Sequence, residues 1–111
     1  MEIEYADFDK VDIRVGRIVK VEDFPKARKP SYKIWVDFGE FGIKKSSAQL
    51  TRLYKSDDLV GKLVLAVLNF APRQVADFMS EVLILGVANE DDSQVVLVSP
   101  DRAVPLGCKL F

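Results

Sequence analysis

From Val11 to Val21 the chain alternates in polarity, with Val11, Ile13, Val15, Arg17, Val19 and Val21 on the odd positions and Asp12, Arg14, Gly16 and Lys20 among the even ones. A period of two is the spacing of a half-buried β-strand, because successive side chains point to opposite faces. Gly16 in the middle predicts a bulge or sharp bend that lets a long strand curve around a small barrel. After the turn-prone Phe24 to Pro30 comes a second alternating run, with Tyr32, Ile34, Val36 and Phe38 on one face and Lys33, Trp35 and Asp37 on the other. By that parity Trp35 is the exposed aromatic of the strand. Gly39 ends it, and a loop over Gly39 to Gly42 sends Ile43 to Leu50 back as a hairpin partner, which brings Lys44 and Lys45 beside the second strand.

Further along, Ser56-Asp57-Asp58-Leu59-Val60-Gly61 reads as a helix of one or two turns, capped by Ser56, favoured by two carboxylates at its amino end and stopped by Gly61. Lys62 to Phe70 and Val82 to Ala88 are apolar enough to be strands buried on both faces or at a barrel closure. Asn89 to Ser93 is a polar turn, Gln94 to Ser99 a short strand, Pro100-Asp101 a turn and Gly107 to Phe111 the last segment. Tyr5 to Lys10 forms a short helix. Three meandering strands, a connecting helix and two more strands describe an all-β domain, best matched by a five-stranded oligonucleotide-binding (OB) barrel. A β-sandwich suits a helix in the middle less well.

The size of the chain, 111 residues, corresponds to one domain spanning 1–111. With 49% apolar and 30% charged residues it is globular. The longest apolar run, Leu63 to Leu68, is far short of the roughly 20 residues of a membrane helix, so no membrane insertion is expected. The acidic amino terminus, Met1-Glu2-Ile3-Glu4, lacks the basic and then apolar character of a secretory signal, and a cytoplasmic location is expected. There is no histidine and only one cysteine, Cys108, so the commonest general base, the commonest metal ligand and a standard zinc site are all missing. We therefore expect no catalysis, no metal and no cofactor.

Charge changes the picture. Between Pro25 and Lys55 lie eight basic side chains (Lys26, Arg28, Lys29, Lys33, Lys44, Lys45, Arg52, Lys55) and two acidic ones (Asp37, Glu40), within a protein of net charge −1. A basic stretch interleaved with Tyr32, Trp35, Phe38 and Phe41 presents an attractive face to a polyanion. Aromatic rings there can stack on unpaired bases. The segment Asn69 to Glu81 joins two apolar strands and reads as a binding loop across a barrel mouth. Within it Arg73 can clamp a phosphate, and Asn69, Gln74 and Ser80 can donate and accept hydrogen bonds. Phe78 and Met79 are apolar anchors that would suit a flexible peptide site where exposed. Asp37-Phe38-Gly39 is a strand end, since nothing else of the kinase pattern accompanies it. Lys44-Lys45-Ser46-Ser47 does not make a serine-lysine pair, because neighbours on a strand face opposite ways. Glu90-Asp91-Asp92 lacks the spacing of a calcium loop.

Asp12-Ile13-Arg14-Val15-Gly16-Arg17-Ile18-Val19, Val67-Leu68-Asn69-Phe70-Ala71-Pro72-Arg73 and Ser80-Glu81 resemble the tRNA-binding domain family, found appended to methionyl- and phenylalanyl-tRNA synthetases and as freestanding dimers. Phe24 to Lys33, Lys44 to Gln49 and Phe78 to Leu83 are similar to its freestanding CsaA-type subgroup of protein-export chaperones. The resemblance covers nearly the whole chain. It implies an OB barrel, a homodimer built with the terminal segments, no catalysis, and binding of tRNA in the family at large. For the subgroup it implies unfolded or pre-secretory polypeptides and the export ATPase as partners. The candidate peptide- or tRNA-binding residues are then Lys33, Trp35, Lys44, Lys45, Asn69, Arg73, Gln74, Phe78, Met79, Ser80 and Glu81. Gln74, Ala76 and Ala48-Gln49 replace the more basic or Ser-Gly positions of tRNA-binding relatives, and fewer positive charges mean weaker RNA binding. Polypeptide is the preferred ligand on that ground, and structured tRNA is the alternative.

Overall fold

A computed structural model describes residues 1–90 and 94–111. Strand β1 (Ile13–Asp23) is the longest element, and its two halves serve different neighbours. Its second half pairs antiparallel with β2 (Tyr32–Asp37), and its first half with β4 (Leu63–Val67). Strand β3 (Ile43–Ala48) pairs with the free side of β2, and β7 (Leu83–Ile84) with β4, so the sheet runs β3-β2-β1-β4-β7. The sheet closes on itself where Glu81 N–H donates to the Lys45 carbonyl at 2.8 Å. This is the nearly closed five-stranded antiparallel barrel of an all-β OB fold.

Short elements decorate it. Helix α1 (Tyr5–Asp9) precedes the barrel, one 3-10 turn (Gly39–Phe41) links β2 to β3, and α2 (Ser56–Leu59) joins β3 to β4. A hairpin of β5 (Arg73–Val75) and β6 (Phe78–Ser80) stands between β4 and β7, and β8 (Gly86–Ala88) pairs with β9 (Val95–Leu97).

The alternation of β2 matches the fold: Tyr32, Ile34 and Val36 are buried, as is Phe38 just beyond. With Ile18, Leu50, Leu59, Val64, Ala66, Val82 and Ile84 they fill the barrel. β1 departs from the expected odd-position face. Ile13 and Val15 pack with Leu65 and Val67 in a second apolar layer, whereas inward at the barrel it is Ile18 that is buried and Val19 that is exposed. The register of β1 against β2 slips between Ile18 and Lys20, so the bulge falls at Val19 and not at Gly16. Gly16 has a different role: a Cβ there would lie 2.6 and 2.7 Å from two ring carbons of Phe38 and closer still to Val36 Cγ1. The absence of that atom lets the core touch the strand.

The carboxy-terminal segment lies along the other side of β1, where Gly107 and Leu110 N–H donate to the Val15 and Ile13 carbonyls at 2.8 and 2.9 Å. Leu110 thereby covers the second layer. Arg14 pins this segment, its Nη1 donating to the Gly107 carbonyl at 3.1 Å and its guanidinium lying 4.4 Å over the Phe41 ring.

Three further expectations are corrected. Ser56 does not cap α2; Lys55 holds that position, and its N–H donates to the Asp58 carboxylate at 3.4 Å. Val82 to Ala88 is not one buried strand, because it breaks into β7 and β8 and leaves Leu83 and Val87 exposed. The stretch read as a loop contains the β5–β6 hairpin. The strand end at Asp37 holds, since its carboxylate accepts the Gly39 N–H at 2.9 Å. Of the acidic turn at 89–93, residues 91–93 lie outside the described residues.

Candidate functional site

The hairpin has a two-residue turn, Ala76-Asp77, between paired Val75 and Phe78. Ala76 adopts φ +52°, a value that favours glycine, so the tight turn imposes backbone strain at this alanine. The hairpin is docked by Phe78, which is buried. Its ring meets Phe24 and Trp35 edge to face at centroid distances of 5.5 and 5.9 Å. Lys33 and Lys45 place Nζ 5.4 and 5.3 Å from the same ring, and Lys20 lies 4.5 Å over Trp35. These contacts follow from register: Trp35 faces Lys45, and Lys33 faces Ser47, on the outer side of β2 and β3.

Between this hairpin and the β1–β2 connection runs an open groove of about 710 Å³. Lys26, Arg28 and Lys29 form one wall, Arg73 to Ala76 the other, and Ser47 and Gln49 the floor. All four ionisable side chains lining it are cationic. At the rim Lys26 Nζ donates to Asp77 Oδ2 at 2.9 Å and links the two walls. That hydrogen bond, reinforced by charge, holds Lys26 above the ordinary lysine range. The same bond is the main cause holding Asp77 below the usual carboxylate range, with the charges of Lys26 and Lys33 adding to it.

The expected site residues fall into separate places. Arg73 and Gln74 line the groove, with Gln74 Nε2 donating to the Ala76 carbonyl at 3.0 Å. Lys33, Trp35, Lys45 and Phe78 gather in the aromatic cluster beside it, where Trp35 is half-buried and not open as parity suggested. Met79, opposite Gln74 on the hairpin, is exposed. Lys44 lies opposite Val36 and so on the other face of the sheet from Lys45. Ser80 and Glu81 form the barrel seam: Ser80 Oγ accepts the Ser47 N–H at 3.0 Å, and Glu81 Oε1 accepts the Lys45 N–H at 3.1 Å. Asn69 anchors the chain before β1, accepting the Asp12 N–H at 2.9 Å and donating to the Lys10 carbonyl at 2.7 Å. Lys26, Arg28, Lys29, Ser47 and Gln49 also line the groove and lie outside the candidate binding set, although the first three belong to the basic stretch. The clustering of basic residues just before Pro30 was the available signal for the first three.

The barrel, with an open groove on its outer side, is an OB domain. The chain belongs to the putative tRNA binding domain family, whose model matches residues 13–109, and within that family it is of the CsaA type. It is similar over 99% of its length to the whole CsaA chaperone protein from Picrophilus torridus, at 49% identity and a TM-score of 0.91. Its likeness to chaperone CsaA from Bacillus anthracis str. Ames covers 100% of both chains, at 41% identity and a TM-score of 0.94. Among curated sequences it is 36% identical over 110 residues to the methionine–tRNA ligase of Pyrococcus abyssi, which is 99% of this chain but 15% of that one. The chain thus spans only about a seventh of such ligases.

Proposed function

We propose that this protein is a homodimeric, export-related chaperone that holds unfolded or pre-secretory polypeptides without catalysis. It works in the cytoplasm alongside the export ATPase and does not insert into membranes. The observation that carries this reading is the open groove of about 710 Å³, lined by side chains able to pair with peptide groups. Gln49 and Gln74 offer amides, Ser47 a hydroxyl, and Arg73 a guanidinium suited to carbonyls. Exposed Met79 adds an adaptable apolar contact. Likeness to two chaperones along the whole chain supports it. The seam made by Ser80 and Glu81 matters too, because it occupies the β3 edge and directs a peptide to the groove rather than to strand addition.

One observation favours a second reading, that of a freestanding structure-specific tRNA-binding protein. Lys26, Arg28, Lys29 and Arg73 converge on one groove without a carboxylate among its lining residues, with Lys33 and Lys45 nearby. Equilibrium binding of bulk tRNA across a salt titration, beside an unfolded pre-secretory polypeptide in the same buffers, separates the two. Polypeptide binding that persists in salt while tRNA binding stays weak is the expected result. Strong tRNA binding that falls steeply with salt would replace the chaperone reading by the RNA one.

A further inference from the structure

Of the four groove cations, only Lys26 is in an ion pair within 4.0 Å among the described residues. Its partner is no neighbour in sequence; Asp77 lies 51 positions away at the tip of the hairpin, on the opposite wall. Both side chains remain well exposed, 71% for Lys26 and 54% for Asp77, so the pair is open to competition from an incoming ligand. The turn leaves Asp77 little choice of place. Ala76 is held at positive φ, and Phe78 on the other side is locked among Phe24 and Trp35.

We propose that Asp77 is a specificity-determining residue that handicaps polyanions in this groove while leaving neutral polypeptide unaffected. A phosphate arriving at Lys26 must displace a carboxylate already hydrogen-bonded there, and it meets that carboxylate's repulsion at the rim. A peptide group carries no charge and has no need of Lys26. Asp77 acts through Lys26 and so is a positioning residue, not one that itself grips the ligand.

This inference rests on the groove being the binding site, and the test keeps the two apart. Bulk tRNA is titrated at several salt concentrations against the full chain and the variants Asp77→Asn, Asp77→Glu, Arg73→Ala, Lys26→Ala and Lys26→Ala/Asp77→Asn. Asp77→Asn is expected to tighten tRNA binding about fivefold, the upper reach of an exposed ion pair. It should also steepen the plot of log affinity against log salt by about 0.7 to 0.9, one more released counterion. Asp77→Glu should match the wild type, and in the Lys26→Ala background Asp77→Asn should leave the salt slope unaltered. Affinity for an unfolded, uncharged polypeptide should be equal in the Asp77 variants. An unchanged tRNA affinity and slope in Asp77→Asn, with Arg73→Ala still weakening tRNA, would overturn the proposal and leave the groove in place. If Arg73→Ala affects neither ligand, the groove reading fails and takes this inference with it.

Discussion

At Gly16 the β1 backbone lies close against the barrel core. A methyl group there would sit inside the contact distance of Val36 and Phe38, which are fully buried and have no free space to retreat into. Gly16→Ala should therefore destabilise the protein by about 1 to 3 kcal/mol, the usual cost of overpacking. Urea unfolding would measure it, and an unchanged midpoint would mean that this wall of the barrel has slack the packing does not show. The same residue illustrates what could be read from the chain. A glycine inside an alternating run signals an irregularity, but whether it is a bulge or a close approach depends on residues some twenty positions away. Asn69 is similar: its amide looks like a ligand contact in sequence, yet both ends are spent on Lys10 and Asp12, 59 and 57 positions upstream.

The β5–β6 hairpin is an element with little to sustain it alone. Three residues a side and a strained turn make an isolated hairpin marginal, so its order must come from docking. Phe78 is the apolar anchor of that docking, through Phe24 and Trp35, beside the Ser80–Ser47 hydrogen bond and the Lys26–Asp77 pair. Phe78→Ala should cost about 3 kcal/mol and release the hairpin before the barrel opens. Amide hydrogen exchange is the check: protection should collapse across residues 73–80 while Ile34 and Val64 keep theirs, and a uniform loss would mean that the hairpin is part of the barrel's cooperative unit. Sequence could not announce this element because Ala76-Asp77 lacks the glycine or asparagine that marks such turns. By contrast the buried face of β2 was legible, since a core on one side imposes strict alternation, whereas the cover that Phe78 lays over Trp35 on the outer face was not. The groove was half legible. Its basic wall lay within the charged stretch, but the role of Ser47 and Gln49 as its floor depends on where the hairpin closes over β3.

At the scale of the molecule the two ends of the chain ask for cover. Helix α1 has five residues and buries none of them, and a helix so short does not persist in water by itself. Tyr5 and Phe8 are packed edge to face at 6.0 Å yet remain 62% and 37% exposed, with Ile3 and Phe111 more open still. In the proposed homodimer a second copy supplies the missing surface. A two-fold interface counts each substitution twice, so truncating two rings removes four contacts. At about 1.5 kcal/mol for each buried ring, the double change Tyr5→Ala/Phe8→Ala should weaken association by roughly 6 kcal/mol. Light scattering over a range of protein concentrations should then show a dimer in the wild type and a monomer in the variant, with the barrel's circular dichroism unaltered. A wild type that is monomeric throughout would overturn the use of the terminal segments in assembly. A variant that stays dimeric would move the interface to another exposed apolar set, of which Leu83, Val87 and Val96 on the β7 to β9 side are the next to test.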